Sequence, residues 1–410
     1  MHKPLAIAVA LALVPAAHAA EGRFDWLAVS GFGTIGASMT DDDNIAFRYP
    51  FQKNAKANQW ATDIDSRVGA QFDINRGGTF SGVLQVMGQQ REDGDFSFEV
   101  EWANAMWTIN ENWRVRAGRM VTPVFMQSDY QNVGYALIPV RYSPEMSGNY
   151  PLSRHDGAEV IFGSELGPGR IQLQAYGGTT RYATSTLEYK ADAVYGAAAT
   201  YTWNDWTFRA SATGVKLKVV GSGATSLTTA SKVMASIPSA ICPACADESK
   251  KFADIVEGAD GSFFGLGTAY DDGTWYAIGE VGVRKASAAI PDTMGYQLLG
   301  AYRWRTLTPF VSVSGYKTDS NNQAVLPTSL GALAASVNGL YESFATDRTT
   351  FSVGTRWDFY RNVALKLQAD FVDHKYPERQ MSGAWPRTTT GPTAYDGKVN
   401  LYTATLDFVF

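Results

Sequence analysis

The pair Cys242-Pro-Ala-Cys245 has the spacing of a thiol redox site. Catalysis by that motif needs a helix N-terminus within a thioredoxin-like βαβ unit, which lowers the pKa of the attacking thiol. The surrounding segment is rich in Gly, Ser, Thr and Ala and reads as a loop, so a local structural disulfide between Cys242 and Cys245 is expected instead. His155 stands between Arg154 and Asp156, a trio capable of acid-base work, but no nucleophile motif such as Gly-x-Ser-x-Gly accompanies it. His155 and His374 sit in separate segments and no second cysteine pair exists, so no metal site, no cofactor and no catalytic residue is expected. Fixed charge remains. Arg67, Arg114, Arg116 and Arg119 are permanent cations, and the stretch that follows them supplies Asp129 and Glu145. Opposed charges of this kind across a narrow aqueous gap sort ions and polar solutes.

Such charges need a scaffold, and composition narrows the choice. The 410 residues carry 35 basic and 40 acidic side chains without a basic run, which gives a nucleic-acid partner no electrostatic basis. Mean hydropathy is -0.17. Past residue 20 no apolar stretch approaches the ~18 residues of a membrane helix. At the start, His2 and Lys3 precede an apolar run from Leu5 to Val14, then Pro15 and Ala17-His18-Ala19. That pattern is a secretory signal, so residues 1–19 are expected to be removed and 20–410 to form one exported domain. Aromatics at 13%, with 39 Gly, lean toward β structure.

The hydrophobic period is two. From Ile64 to Ile74 the apolar set Ile64, Val68, Ala70, Phe72 and Ile74 alternates with Asp65, Arg67, Gln71 and Asp73. Trp113, Val115 and Ala117 alternate with Arg114 and Arg116, and Val363 to Phe371 alternates with Lys366, Gln368 and Asp370. A strand with lipid on one side and water on the other must read this way. About sixteen such segments occur, an even number, with alternating connections. Short ones include Asn110-Glu111-Asn112, Asn204-Asp205 and Asp271-Asp272-Gly273; long ones run from Thr40 to Thr62, Thr122 to His155, Val220 to Gly261, Lys317 to Arg348 and His374 to Lys398. Gln90 to Asp95 is short where a long connection is due. Eight of the 11 Trp lie beside the N-terminus or a short turn, which fits an interfacial girdle better than a soluble core. The expected fold is therefore all-β, a transmembrane antiparallel barrel with short periplasmic turns and long extracellular loops.

The last segment, Val399 to Phe410, places Tyr402, Ala404, Leu406, Phe408 and Phe410 on one face and ends in an aromatic residue. With Val115-Arg116-Ala117-Gly118-Arg119 followed at once by the long third loop, this resembles the general porin family of Gram-negative outer membranes. The resemblance implies a homotrimer whose third outer loop folds into the lumen, and it makes Arg67, Arg114, Arg116, Arg119, Asp129 and Glu145 candidates for a pore constriction. It implies that Tyr402, Phe408 and Phe410 form the signal read by the barrel assembly machinery. Outer-membrane lipid, lipopolysaccharide and small hydrophilic solutes would be the other partners. The implied function is passive diffusion of ions and small hydrophilic solutes, the alternatives being a substrate-specific channel, for example for anions, or a barrel hydrolase.

Overall fold

A computed structural model describes residues 25–148, 150–184, 187–319, 326–344, 346–375, 384–386 and 397–410; the expected signal at 1–19 lies outside them. The strands are β1 (Leu27–Thr40), β2 (Arg67–Ile74), β3 (Phe80–Gln90), β4 (Phe96–Thr108), β5 (Trp113–Val121), β6 (Arg154–Leu166), β7 (Gly169–Ala183) and β8 (Glu188–Trp203). The second half comprises β9 (Trp206–Val220), β10 (Ala259–Asp271), β11 (Trp275–Ala286), β12 (Thr293–Tyr302), β13 (Leu307–Thr318), β14 (Asp347–Tyr360), β15 (Val363–His374) and β16 (Lys398–Val409). Each pairs antiparallel with its sequence neighbours, and β1 pairs with β16 to close a sixteen-stranded barrel. No described helix is long and apolar enough to cross a membrane. The expected strand count, alternation and closure are all present.

Outside, the barrel shows an apolar face. The eight Trp beside the N-terminus and short turns, Trp26, Trp107, Trp113, Trp203, Trp206, Trp275, Trp304 and Trp357, are 40–58% exposed and gather at one end. The short turns there use left-handed residues such as Asn75, Asn204, Gly273 and Asn362, positions at which Asn and Gly pay least. The closing seam has its own packing. The rings of Phe410 and Phe408 lie over Gly31 and Gly33 of β1, where a Cβ would come within 2.2 Å and 2.4 Å of a ring carbon.

Three expectations need correction. β2 begins at Arg67, not at Asp63, because the Ser66 hydroxyl donates to Thr62 O and accepts from Gly36 N, turning the chain before the ladder starts. Ile64 therefore does not face lipid; it is buried with Ile45, Phe47, Val372 and Trp385 under the outer loops. The segment from Val220 to Gly261, expected as an irregular loop, folds into α2 (Gly221–Ala235) and α3 (Cys245–Glu257), after a short α1 (Pro144–Ser147) in the third loop. With α4 (Ala332–Phe344) they enclose a small core of Met234, Cys242, Cys245, Phe252, Ala334, Val337 and Tyr341. Cys242 and Cys245 are bonded at 2.03 Å and sit at the start of α3, yet both are at most 1% exposed. Burial, rather than absence of a helix, withholds them from thiol exchange.

The seam makes a direct test. Gly31→Val should lower the unfolding free energy from a urea titration by about 1–3 kcal/mol, since Phe410 must move. Gly300→Ala, with nothing within 4 Å, should change stability by no more than ~0.5 kcal/mol.

Candidate functional site

Connection 122–153, between β5 and β6, crosses the barrel interior and is fastened to the opposite wall by charge. Arg141 forms a bidentate pair with Asp65, Nε to Oδ1 at 2.9 Å and Nη2 to Oδ2 at 2.8 Å. Its Nη1 reaches Asp370 at 3.1 Å and its face lies 4.7 Å from the Phe47 ring. Four residues on, Glu145 accepts from Arg348 Nε at 2.9 Å, Thr350 Oγ1 at 3.0 Å and Ser314 Oγ at 3.2 Å. Burial alone would raise the Glu145 carboxyl, but Arg348 and these donors outweigh it and hold it below the usual glutamate value. Two plugs of opposite sign thus enter two sockets of opposite sign.

Between and before them the loop backbone is held as well. Lys366 Nζ, on β15 and fully buried, donates to Gly134 O at 2.6 Å and Pro139 O at 3.0 Å. Arg356 donates to Tyr135 O and Leu137 O, and Val140 N donates to Gln368 Oε1 at 2.9 Å. On the near side Glu280 takes Met126 N at 2.6 Å and Tyr142 Oη at 3.1 Å. Carbonyls that a loop would otherwise leave to water are answered by wall cations.

The loop leaves a chamber of about 340 Å³ against the wall of β2 to β8, lined among others by Arg67, Arg91, Glu99 and Tyr182. Glu101, Ser128, Gln131, Asn132, Ser153 and Arg154 border both this chamber and a smaller void of about 10 Å³. Those six residues are shared by the two cavities, of which the chamber is the larger. Its wall carries a four-membered network: Arg91 and Arg154 each contact both Glu99 and Glu101, at 2.7–3.4 Å.

The sequence-derived candidates divide accordingly. Arg67 lines the chamber. Asp129 is exposed on the loop and lines the smaller void beside Arg154. Arg116 is paired with Glu159, and among the described residues Arg114 meets only Gln172, at 3.4 Å. Glu145 is spent as an anchor rather than offered to solvent. Arg119 shares the outward parity of Val115 and Ala117 and pairs with Asp156, so the structure does not bring it to the lumen with the others. His155 is buried, its Nδ1 3.3 Å from Thr122 Oγ1 and its ring against Tyr176. Tyr402 is exposed on the outer face, and the Phe408 and Phe410 rings stack on each other over Gly31 and Gly33.

Sequence reasoning missed Arg91, Arg141, Arg348, Arg356 and Lys366 as organisers. Period two gives the inward parity of Lys366 and Asp370, but no local signal pairs Arg141 with carboxylates 76 and 229 residues away.

A closed sixteen-stranded barrel with its third loop folded inward settles the architecture. The fold is that of the outer-membrane porins. An anion-selective porin from Comamonas acidovorans superposes with a TM-score of 0.56 at 13% identity, over 94% of this chain and all (100%) of that one. OmpF of Salmonella typhi, in complex with daunomycin, gives 0.55 at 12% identity, covering 94% of this chain and 97% of that chain. The outer-membrane channel DcaP of Acinetobacter baumannii gives 0.52 at 11%, over 93% and 98%. No protein-family model matches the chain, and neither does any curated protein sequence.

The Glu145 anchor sets a pH test. Its carboxyl is held below its unfolded value, so the stabilisation is full above that value and is lost as pH falls through the folded one. Single-channel current should be quiet at pH 7 and turn noisy only once the pH falls below the usual glutamate range. Glu145→Gln, which leaves Arg348 buried and unpaired at a cost of about 3–5 kcal/mol, should be noisy at pH 7 already.

Proposed function

We propose that this chain is a porin of a Gram-negative outer membrane that passes ions and small hydrophilic solutes passively. The observation that carries the proposal is the closed sixteen-stranded barrel whose third loop, anchored inside it, leaves a chamber of about 340 Å³ beside the Arg91, Arg154, Glu99, Glu101 wall. A loop folded into the lumen limits the size of the solutes that pass, and the charges along the wall favour hydrated ones. The wall network is balanced in sign, so ion preference rests on the groups without an ion pair among the described residues: Arg67, Arg114 and, on the loop, Asp129. Export through the 1–19 signal, recognition of Tyr402, Phe408 and Phe410 by the assembly machinery, and residence among outer-membrane lipid and lipopolysaccharide belong to the same proposal. So does a homotrimeric state, in keeping with the trimer form of OmpT, an outer-membrane protein of Vibrio cholerae with a TM-score of 0.51 and 11% identity, over 94% of this chain and 100% of that one.

Planar-bilayer recording tests the channel. Purified protein should give large, steady, ohmic conductance in KCl; hydrolysis of lipid or peptide without conductance would replace the porin with an enzyme. Arg67→Gln should move the reversal potential across a salt gradient toward cation preference. The shift should fade near 1 M salt, where the screening length is ~3 Å. Mass measurement in mild detergent should find three copies, and deletion of Phe410 should reduce surface levels; monomer alone, or unchanged levels, would remove those two parts.

A further inference from the structure

The charged groups of the chamber do not pair off completely. Its lining holds Arg67, Arg91, Arg154 and Arg181 against Glu92, Glu99, Glu101 and Glu188. Arg91 and Arg154 are taken by Glu99 and Glu101, and Arg181 pairs with Glu188 at 3.3 Å. One cation and one anion are left. Arg67 is 8% exposed, its Nε and Nη2 are buried without an acceptor, and no described carboxylate lies within ion-pair reach of it. Glu92 likewise has no cation within reach among the described residues. Both line the one chamber: Arg67 is the register partner of Gln89, and Glu92 follows Gln89 by three residues, at most about 10 Å along the chain at full extension.

Rings complete the chamber. Tyr49, Phe51, Tyr142, Tyr150 and Tyr182 line it, and the Tyr150 hydroxyl is itself buried without a partner. A guanidinium deprived of acceptors attracts a carboxylate, a free carboxylate attracts an ammonium, and the aromatic surface suits an apolar group. The chamber, about 340 Å³, is at the small end of ligand sites.

We propose that this chamber is a binding subsite for zwitterions with an apolar side chain, namely aromatic or large aliphatic α-amino acids. Arg67 receives the carboxylate, Glu92 the ammonium, and the rings the side chain. The subsite rests on the channel reading and deepens it, making the chain a channel with a preferred solute.

The test is current block in planar bilayers at pH 6 by three related probes: phenylalanine, its deaminated acid 3-phenylpropanoate, and the cationic phenylalaninamide. In the wild type phenylalanine should block at the lowest concentration. Arg67→Gln should weaken block by phenylalanine and 3-phenylpropanoate about tenfold and spare the amide. Glu92→Gln should weaken block by phenylalanine and the amide and spare 3-phenylpropanoate, while Arg67→Lys retains part of the acid block. Circular dichroism and heat-resistant migration of each variant report that it has folded. Equal or stronger block by 3-phenylpropanoate in the wild type would overturn the zwitterion assignment, and so would unchanged phenylalanine block in folded Arg67→Gln or Glu92→Gln. KCl conductance with no block by any probe sinks the subsite alone, whereas absence of KCl conductance removes the channel and the subsite with it.

Discussion

A backbone amide facing hydrocarbon has no water to turn to, so every N–H and C=O at membrane depth must find its partner inside the protein. The ring of strand pairs ending in the β1–β16 seam answers that demand, and most of the structure follows from it. Closure forces each strand to present one face to lipid and one to the lumen, which separates the apolar from the polar residues along every strand. It also makes the seam a place where packing cannot be loose. The rings of Phe408 and Phe410 lie on glycines of the neighbouring strand, covering backbone that would otherwise be left bare.

The lumen obeys the opposite economy. A barrel of this width leaves space that the third loop fills only in part, and a loop inside the barrel needs partners as strictly as a strand in lipid does. Arg141 and Glu145 carry opposite charges to opposite sockets, while Lys366 and Arg356 answer the carbonyls of residues 134 to 139. An ion pair this deep returns little net stability but is costly to break, so it fixes a position rather than deepening a well. A fixed loop gives the chamber beside it a constant shape. The paired arginines and glutamates along its wall keep that surface hydrated without giving it a large net charge.

At the outer end the same chain builds a different kind of core. α2, α3 and α4 bury Met234, Phe252, Val337 and Tyr341 around the Cys242–Cys245 bond, as a small soluble domain would, and Tyr341 donates to Glu248 at 2.6 Å. Two segments meet there that are far apart along the chain and mostly weak in hydrophobic pattern. α2 was hidden in a composition of Gly, Ser, Thr and Ala, whereas Cys245, Phe252 and Ile255 already give α3 an apolar face in the sequence.

Taken alone, the sequence determined the barrel: period two, turn chemistry at Asn75, Asn204 and Asn362, and the tryptophans beside the short turns are local features, and lipid imposes them strand by strand. It determined equally that Arg67, Arg114 and Arg116 point inward, since parity is set by neighbours two residues away. Which inward charges are matched was decided only in three dimensions. Arg116 meets Glu159 on the adjacent strand, and Glu145 meets Arg348 and Arg141 meets Asp65 across the barrel, whereas among the described residues Arg67 and Glu92 form no ion pair. Even the outward turn of Arg119 toward Asp156 depends on the register of β5 against β6. The physical reason is one of range: alternation is a property of adjacent residues, but compensation of charge depends on which strands and loops closure brings face to face.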